Sequence, residues 1–291
     1  MNSHFRVHRK KSEGPTTERM TLLTEIANPW TPHDDEIETI MLNSEFKDLK
    51  RFSRASNYVF LATLAHPKFQ EGLVVYKPAQ GEQPLWDFPP NLYQREVAAY
   101  QLSKLLNWNI IPPTVIQPEA PHGIGSLQLF INHDPSEHYF YLQETLGLSG
   151  EINYEKSSSV KRNNPLVKLD YSFLKLAILD IIINNADRKA GHILRDQHDN
   201  IWGIDNGLSF HSERKLRTVI WDYSGLEIPP DWSTELEKAY TFIAGLSSDR
   251  QVFSMLSESE IAAMLTRIEN LIKAGTLPEM FYERCIPWPL I

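Results

Sequence analysis

From Tyr58 to Leu64, and again from Gly72 to Lys77, short apolar, β-branched and aromatic runs are separated by the turn-rich His66-Pro67-Lys68-Phe69-Gln70-Glu71. That pattern predicts a β-hairpin. Between Tyr93 and Leu106 the apolar positions Val97, Ala98, Tyr100, Leu102, Leu105 and Leu106 recur at helical spacing, and Trp108-Asn109-Ile110-Ile111-Pro112-Pro113 ends the helix. A third strand, Thr114 to Ile116, and a fourth, Ser126 to Ile131, flank a Pro- and Gly-containing turn. After a polar stretch from Gly150 to Asn164 the pattern changes. Tyr171 to Ile183 is apolar enough for a buried helix, and Thr234–Leu246 and Ser257–Ala274 carry helical spacing. The expected class is α+β: a small β-rich first lobe with one helix (residues 43–145) and a larger, mainly helical second lobe (146–291). Residues 1–42 are polar, with an acidic cluster at Asp34, Asp35 and Glu36, and read as a flexible tail or linker.

The 291 residues carry a net charge of -8, which excludes a nucleic-acid binder that works by neutralising phosphates. One cysteine, Cys285, cannot build a disulfide framework or a Cys-based zinc site, and points to a reducing, cytoplasmic compartment. No apolar run approaches the roughly 20 residues of a membrane-spanning helix. The basic stretch His4 to Lys11 is followed by Ser-Glu-Gly-Pro-Thr-Thr, so it is no secretory signal, and it does not by itself support a membrane-surface contact.

The chemistry concentrates at Asn184-Asn185-Ala186-Asp187-Arg188-Lys189-Ala190-Gly191-His192, followed by Ile193-Leu194-Arg195, a polar turn from Asp196 to Asn200, and Ile201-Trp202-Gly203-Ile204-Asp205-Asn206-Gly207. If Arg195 faces Ile201 across the turn, antiparallel pairing sets His192 opposite Ile204 and brings His192 beside Asp205 at the open end. Asp187 lies in the loop feeding that end. A phosphoryl-transfer site needs such a set: one carboxylate orients the attacking hydroxyl, and a ligand pair holds the metal that bridges the phosphates. A metal-dependent hydrolase built on His192, Asp205 and His211 competes, but it leaves Lys77 and Glu96 without a role. The cluster His133, Asp134, Glu137 and His138 has no standard metal-ligand spacing and reads as loop polarity.

Asp187-Arg188-x-x-Gly191 with Ile204-Asp205-x-Gly207-Leu208 resembles the catalytic and metal-binding motifs of the phosphatidylinositol 3-/4-kinase superfamily. Val75-Tyr76-Lys77-Pro78, Arg95-Glu96-Val97-Ala98-Ala99-Tyr100 and Ile111-Pro112-Pro113-Thr114 are similar, in order, to its type II phosphatidylinositol 4-kinase branch. Lys215 to Trp221 and Pro287-Trp288-Pro289 are similar to a bacterial family related to those kinases. The resemblance implies a kinase-like two-lobed fold, ATP with magnesium or manganese, and a hydroxyl acceptor on a lipid, small molecule or protein. It implies that Lys77 contacts the nucleotide phosphates, Glu96 pairs with Lys77, Asp187 with Arg188 and Lys189 forms the catalytic loop, and Asp205 binds the metal.

No Gly-x-Gly-x-x-Gly loop is present, so the turn bearing Ser53, Ser56 and Asn57 is the candidate phosphate-facing loop. The backbone of Gln128, Leu129, Phe130 and Ile131 is the candidate adenine contact. The sequence departs from the family where a histidine and an asparagine are expected, having Lys189 and His192 instead. Imidazole is a softer ligand than magnesium prefers, which favours manganese at His192 or a nucleotide-binding pseudokinase without turnover. Arg214, Lys215 and Arg217 stand where lipid kinases read substrate, but a charge run of this kind reads first as a solvated face.

Overall fold

The computed structural model describes residues 27–52, 57–147, 165–245, 253–280 and 284–291. In chain order these form α1 (Ile37–Leu42), β1 (Glu45–Arg51), β2 (Phe60–Ala65), β3 (Gly72–Pro78), α2 (Leu92–Leu105), β4 (Thr114–Gln117), β5 (Gly125–Leu129), α3 (Tyr139–Leu146), α4 (Pro165–Ile183), β6 (Ile193–Arg195), β7 (Ile201–Gly203), α5 (Pro230–Gly245) and α6 (Glu258–Ala274). The first five strands make one antiparallel sheet in the order β1-β2-β3-β5-β4, and β6 with β7 makes a separate hairpin.

The expected β2–β3 hairpin forms, with Leu61 opposite Val75 and Phe60 opposite Tyr76. Along β3 burial alternates, so Gly72, Val74 and Tyr76 turn into a core with Leu64, Leu127 and Leu129, while Leu73, Val75 and Lys77 turn to the other face. Each large side chain buried this way contributes about 1.5–3 kcal/mol, and the alternation fixes which face Lys77 presents.

Residues 28–41 correct the expected tail. Trp30, Ile37, Ile40 and Met41 are buried in the same core as Val74 and Tyr76. Asn28 is buried too, and its side chain takes the place of a strand partner: Nδ2 donates to Leu73 O (2.9 Å) and Phe130 O (2.8 Å), and Oδ1 accepts from Leu73 N (2.9 Å). Trp30 lies flat where Gly72 has no side chain. The acidic cluster hid this docking, because α1 has only six residues and too few turns to show a helical period.

Strand β1 was also hidden. It is an edge strand of mostly charged residues, and a register shift between Phe46 and Asp48 breaks its alternation. Helix α3 escaped as well; it is capped by His138, whose Nδ1 accepts from Tyr141 N at 3.3 Å.

The second core is larger and is built around α4, with Phe173, Leu176, Ile178, Leu179, Ile182 and Ile183 buried. Residues Trp232, Leu236, Ala239 and Ile243 of α5 and Ile261, Met264, Ile268 and Leu271 of α6 pack on it. Ala98, Ala99, Leu102 and Leu106 join this second core, so α2 spans both lobes. The stretch from Gly150 to Asn164 lies outside the described residues. Among the described residues no helix is long and apolar enough to cross a membrane.

Candidate active site

Three elements carry the site: β3, α2 and the β6–β7 hairpin with its flanking loops. Lys77 stands near the end of β3 on the face away from Trp30, and Glu96 stands on α2 with almost no exposure. The Lys77 ammonium donates to Glu96 Oε1 and, at 2.8 Å, to Asp205 Oδ1. The second oxygen of Glu96 accepts the backbone N–H of Asn206 at 2.9 Å. Glu96 therefore ties strand lysine and hairpin loop to one helix. Gly207 permits the approach, since a Cβ there would meet Leu92 Cβ at 3.3 Å.

The hairpin takes the register expected from its turn. Arg195 faces Ile201, Ile193 faces Gly203, and Ile204 N donates to His192 O at 2.9 Å. Asp205 follows in a left-handed backbone conformation, φ 59°, which Asp tolerates better than most residues. Its side chain is 51% exposed and its Oδ2 lies 3.3 Å from His192 Nε2.

His192 Nδ1 lies 3.0 Å from Asp187 O. A carbonyl only accepts, which puts the proton on Nδ1 in that contact, but the backbone N–H of Lys189 also points at Nδ1, at 3.5 Å, so the ring proton has a partner on either nitrogen. Burial lowers the imidazole pKa, with Arg188 and Lys189 adding to the effect and Asp205 and Asp187 opposing it. With the proton on Nε2 the imidazole donates toward Asp205 Oδ2; with it on Nδ1 the Nε2 lone pair faces that carboxylate. In the second arrangement the gap between the two acceptors suits a cation.

The Asp205 carboxyl is held well below the usual range by the Lys77 ammonium, against burial, and helped by His192 and Lys189. Burial alone would lower the Lys77 ammonium pKa; Asp205 and Glu96 outweigh it and raise it. Lys77 and Asp205 are thus both charged at neutral pH. Asp187 is paired at 2.8 Å with Lys189 Nζ, and its N–H donates to Asn185 Oδ1 at 2.9 Å.

Arg188, expected at the catalytic loop with Asp187, does not reach the cleft. It is fully buried: Nε donates to Asp180 Oδ1 (3.1 Å) and Oδ2 (3.2 Å), Nη1 to Ile204 O (2.5 Å), and Nη2 to Asn206 Oδ1 (2.5 Å). It positions the loop by fastening α4 to the hairpin. Burial raises the Asp180 carboxyl pKa, with Arg188, Thr218 and Asn185 pulling the other way. Sequence reading missed Asp180 and Asn206. The signal for Asp180 was a carboxylate flanked on both sides by apolar residues, Ala177-Ile178-Leu179 and Ile181-Ile182-Ile183, since such a charge requires a partner.

Ser53 and Ser56 lie outside the described residues, and Asn57 Oδ1 accepts from Gln83 N at 2.9 Å, a tie within the first lobe. Gln128 is buried, with Nε2 donating to Thr114 Oγ1 at 3.0 Å, and Leu129 N donates to Pro113 O at 2.9 Å. Phe130 O already accepts from Asn28, and Ile131 O lies 2.7 Å from His133 Nδ1. An adenine at this strand is left with the second lone pairs of these carbonyls, fewer free groups than an open hinge offers. Lys215 Nζ sits 3.6 Å from both Asp87 and Glu213, so it is held within the protein. His211 Nδ1 accepts from Glu213 N at 3.0 Å, and among the described residues no group of three or more His, Cys, Asp or Glu side chains converges as a metal site. The hydrolase trio therefore has no geometry, and a metal here would have Asp205 and His192 as its protein ligands.

No protein-family model matches the chain. Among solved structures, a hydra Fam20 determined with sugar superimposes with a TM-score of 0.51 at 14% identity, covering 83% of this chain and 89% of that one. The Golgi casein kinase gives 0.50 at 14% identity, covering 88% and 84%. These likenesses establish a kinase-like fold, in agreement with the α+β, two-lobed expectation. At the sequence level the chain is 31% identical over 290 residues to Protein Rv2133c of Mycobacterium tuberculosis (strain ATCC 25618 / H37Rv), a match covering 89% of this chain and 96% of that protein. The chain belongs to the family of Protein Rv2133c.

Proposed function

We propose that the chain is an ATP- and divalent-metal-dependent phosphotransferase of the phosphatidylinositol 3-/4-kinase-like kind, acting on a hydroxyl of a lipid, small molecule or protein. The observation that carries this reading is the Lys77 ammonium shared between Glu96 and Asp205, a β3 strand residue joined to α2 and to the hairpin loop 128 positions away in sequence. A charged lysine so held is a fixed cation for the nucleotide phosphates. Asp205 and His192 would hold the metal, with phosphate oxygens and water completing its shell; one carboxylate plus one imidazole suits manganese at least as well as magnesium. When bound, the metal supplies positive charge to the phosphates as the leaving oxygen becomes negative.

The remaining chemistry falls to Asp187. Its carboxylate accepts the acceptor hydroxyl's proton as that oxygen bonds to the γ-phosphorus, the bond from phosphorus to the β,γ-bridging oxygen breaks, and ADP departs. Lys189, paired with Asp187 in the absence of substrate, releases it by turning to the transferring phosphoryl group. A nucleotide-binding protein without turnover is favoured instead by the same Asp187–Lys189 pair if it stays closed. Thermal shift with ATP plus magnesium or manganese, followed by incubation with γ-labelled ATP and mass analysis of products, separates the two. Metal-dependent stabilisation with a labelled product supports the transferase, stabilisation without product supports the silent binder, and no stabilisation by either metal removes both.

A further inference from the structure

A cavity of about 640 Å³ lies between the end of α4, the segment around Ser212 to Leu216, and α6. Lys77, Asp187 and Asp205 take no part in its walls, so it is separate from the proposed phosphotransfer site. Ile181, Leu216, Leu271 and Pro278 give it apolar surface, Arg214 and Arg267 give it two guanidinium groups, and among the described residues no Asp or Glu lines it. Its size is that of a small-molecule site, which typically spans roughly 300–1,000 Å³.

Arg267 is the anomaly. Its Nε donates to Ile182 O at 2.7 Å and its Nη1 to His211 O at 3.4 Å, while Nη2 is buried with no hydrogen-bond partner among the described residues. Among the described residues no carboxylate pairs with it, and burial alone lowers its pKa to about 10. A guanidinium remains charged even so, and a buried charge is ordinarily matched by an opposite one. Two backbone carbonyls answer only part of its donor fork. Ser212, Asn270 and Thr276, which carry hydroxyl and amide donors, also line the wall. Several single donors around one arginine suit a three-oxygen phosphate better than a two-oxygen carboxylate.

We propose that this cavity binds a small phosphate monoester with an apolar body, the phosphate on Arg267 and the body against Ile181, Leu216 and Leu271. The site does not depend on the phosphotransfer reading and stands if that reading fails.

Calorimetric titration of the full chain with 1-naphthyl phosphate tests it, with 1-naphthol and 1-naphthoate as comparisons. Saturable binding of the phosphate is expected, with both comparison compounds about tenfold weaker or worse. Arg267→Gln should weaken the phosphate by about tenfold or more, and Ala263→Trp, which fills the cavity and keeps the arginine, should abolish binding. Lys77→Ala should leave it unchanged, which excludes capture in the cleft between the lobes. If Arg267→Gln does not fold, Ala263→Trp decides. Absence of saturable binding, unaltered binding in folded Ala263→Trp, loss of binding in Lys77→Ala, or naphthoate binding as tight as the phosphate would each overturn the assignment.

Discussion

At the scale of single residues, Asp205 serves two partners at once: Oδ1 receives Lys77 and Oδ2 faces Nε2 of His192. Because its side chain is half exposed and packs against no core, Asp205→Ala should keep the fold while losing metal-dependent stabilisation by ATP. Circular dichroism checks the first part and thermal shift the second; a metal-dependent shift that survives the substitution removes Asp205 as a ligand. His192→Asn replaces a nitrogen donor by an amide oxygen, a harder ligand, and should move the preference from manganese toward magnesium. Equal preference in the two proteins would leave the imidazole a loop prop. Arg188 differs in kind, since nothing of it reaches solvent. Removing it strands the Asp180 carboxylate in α4, so Arg188→Ala should cost about 3–5 kcal/mol in urea unfolding, and a cost below about 1 kcal/mol would mean Asp180 is neutral when folded. The sequence made Lys77, Glu96, Asp187, His192 and Asp205 visible because each lies in a short ordered motif. Arg188 lies in the same motif, yet its motif alone could not tell a buried brace from a residue that touches substrate; that depends on Asp180, eight positions earlier in a helix that otherwise reads as apolar.

At the scale of elements, what could be read was what repeats. Apolar, β-branched and aromatic runs around a turn gave the β2–β3 pair, helical spacing gave α2, and a five-residue polar turn gave the register of β6 and β7. What could not be read was irregular: the bulged, charged β1, the six-residue α1, and the docking of Asn28 and Trp30 on β3. That docking depends on Gly72, where a Cβ would fall 1.9 Å from the Trp30 ring, a distance no small adjustment accommodates. Gly72→Ala should therefore expel the indole and lose much of its burial, costing about 2–4 kcal/mol in equilibrium unfolding. In a Trp30→Ala background the same change should cost less than about 1 kcal/mol, because the clash is gone. Additive costs in that double-mutant cycle would mean that Gly72 matters for a reason other than Trp30.

At the scale of the whole molecule, α2 is the hub, holding Glu96 toward the site and Arg95 toward the second lobe. Buried Arg95 donates from Nε to Ser209 O at 3.1 Å, from Nη1 to Pro90 O at 3.2 Å, and from Nη2 to Glu260 at the start of α6. The α+β class in two lobes was legible from the order of strand-like and helix-like runs and the polar stretch between them. This link was not, because the partners stand 165 positions apart and Glu260 lies in no motif. Its pH dependence has a definite sign. Burial raises the Glu260 carboxyl pKa, but the hydrogen bonds from Ser257 and the charge of Arg95 outweigh it, and the group sits below its ordinary value. The unfolded chain therefore takes up this proton first, at about pH 4.5. The contribution of Glu260 is complete above that pH and declines as pH falls through the lower, folded value. Glu260→Gln leaves Arg95 buried without its counter-charge and should cost about 2–4 kcal/mol at pH 7. The cost should shrink toward pH 3, because wild type loses its own pairing there, while the other carboxylates titrate alike in both proteins and cancel. Urea unfolding of the two proteins from pH 7 to pH 3 measures the difference directly. A cost that stays constant across that range would show that Glu260 acts by capping α6 through Ser257 and not by its charge on Arg95.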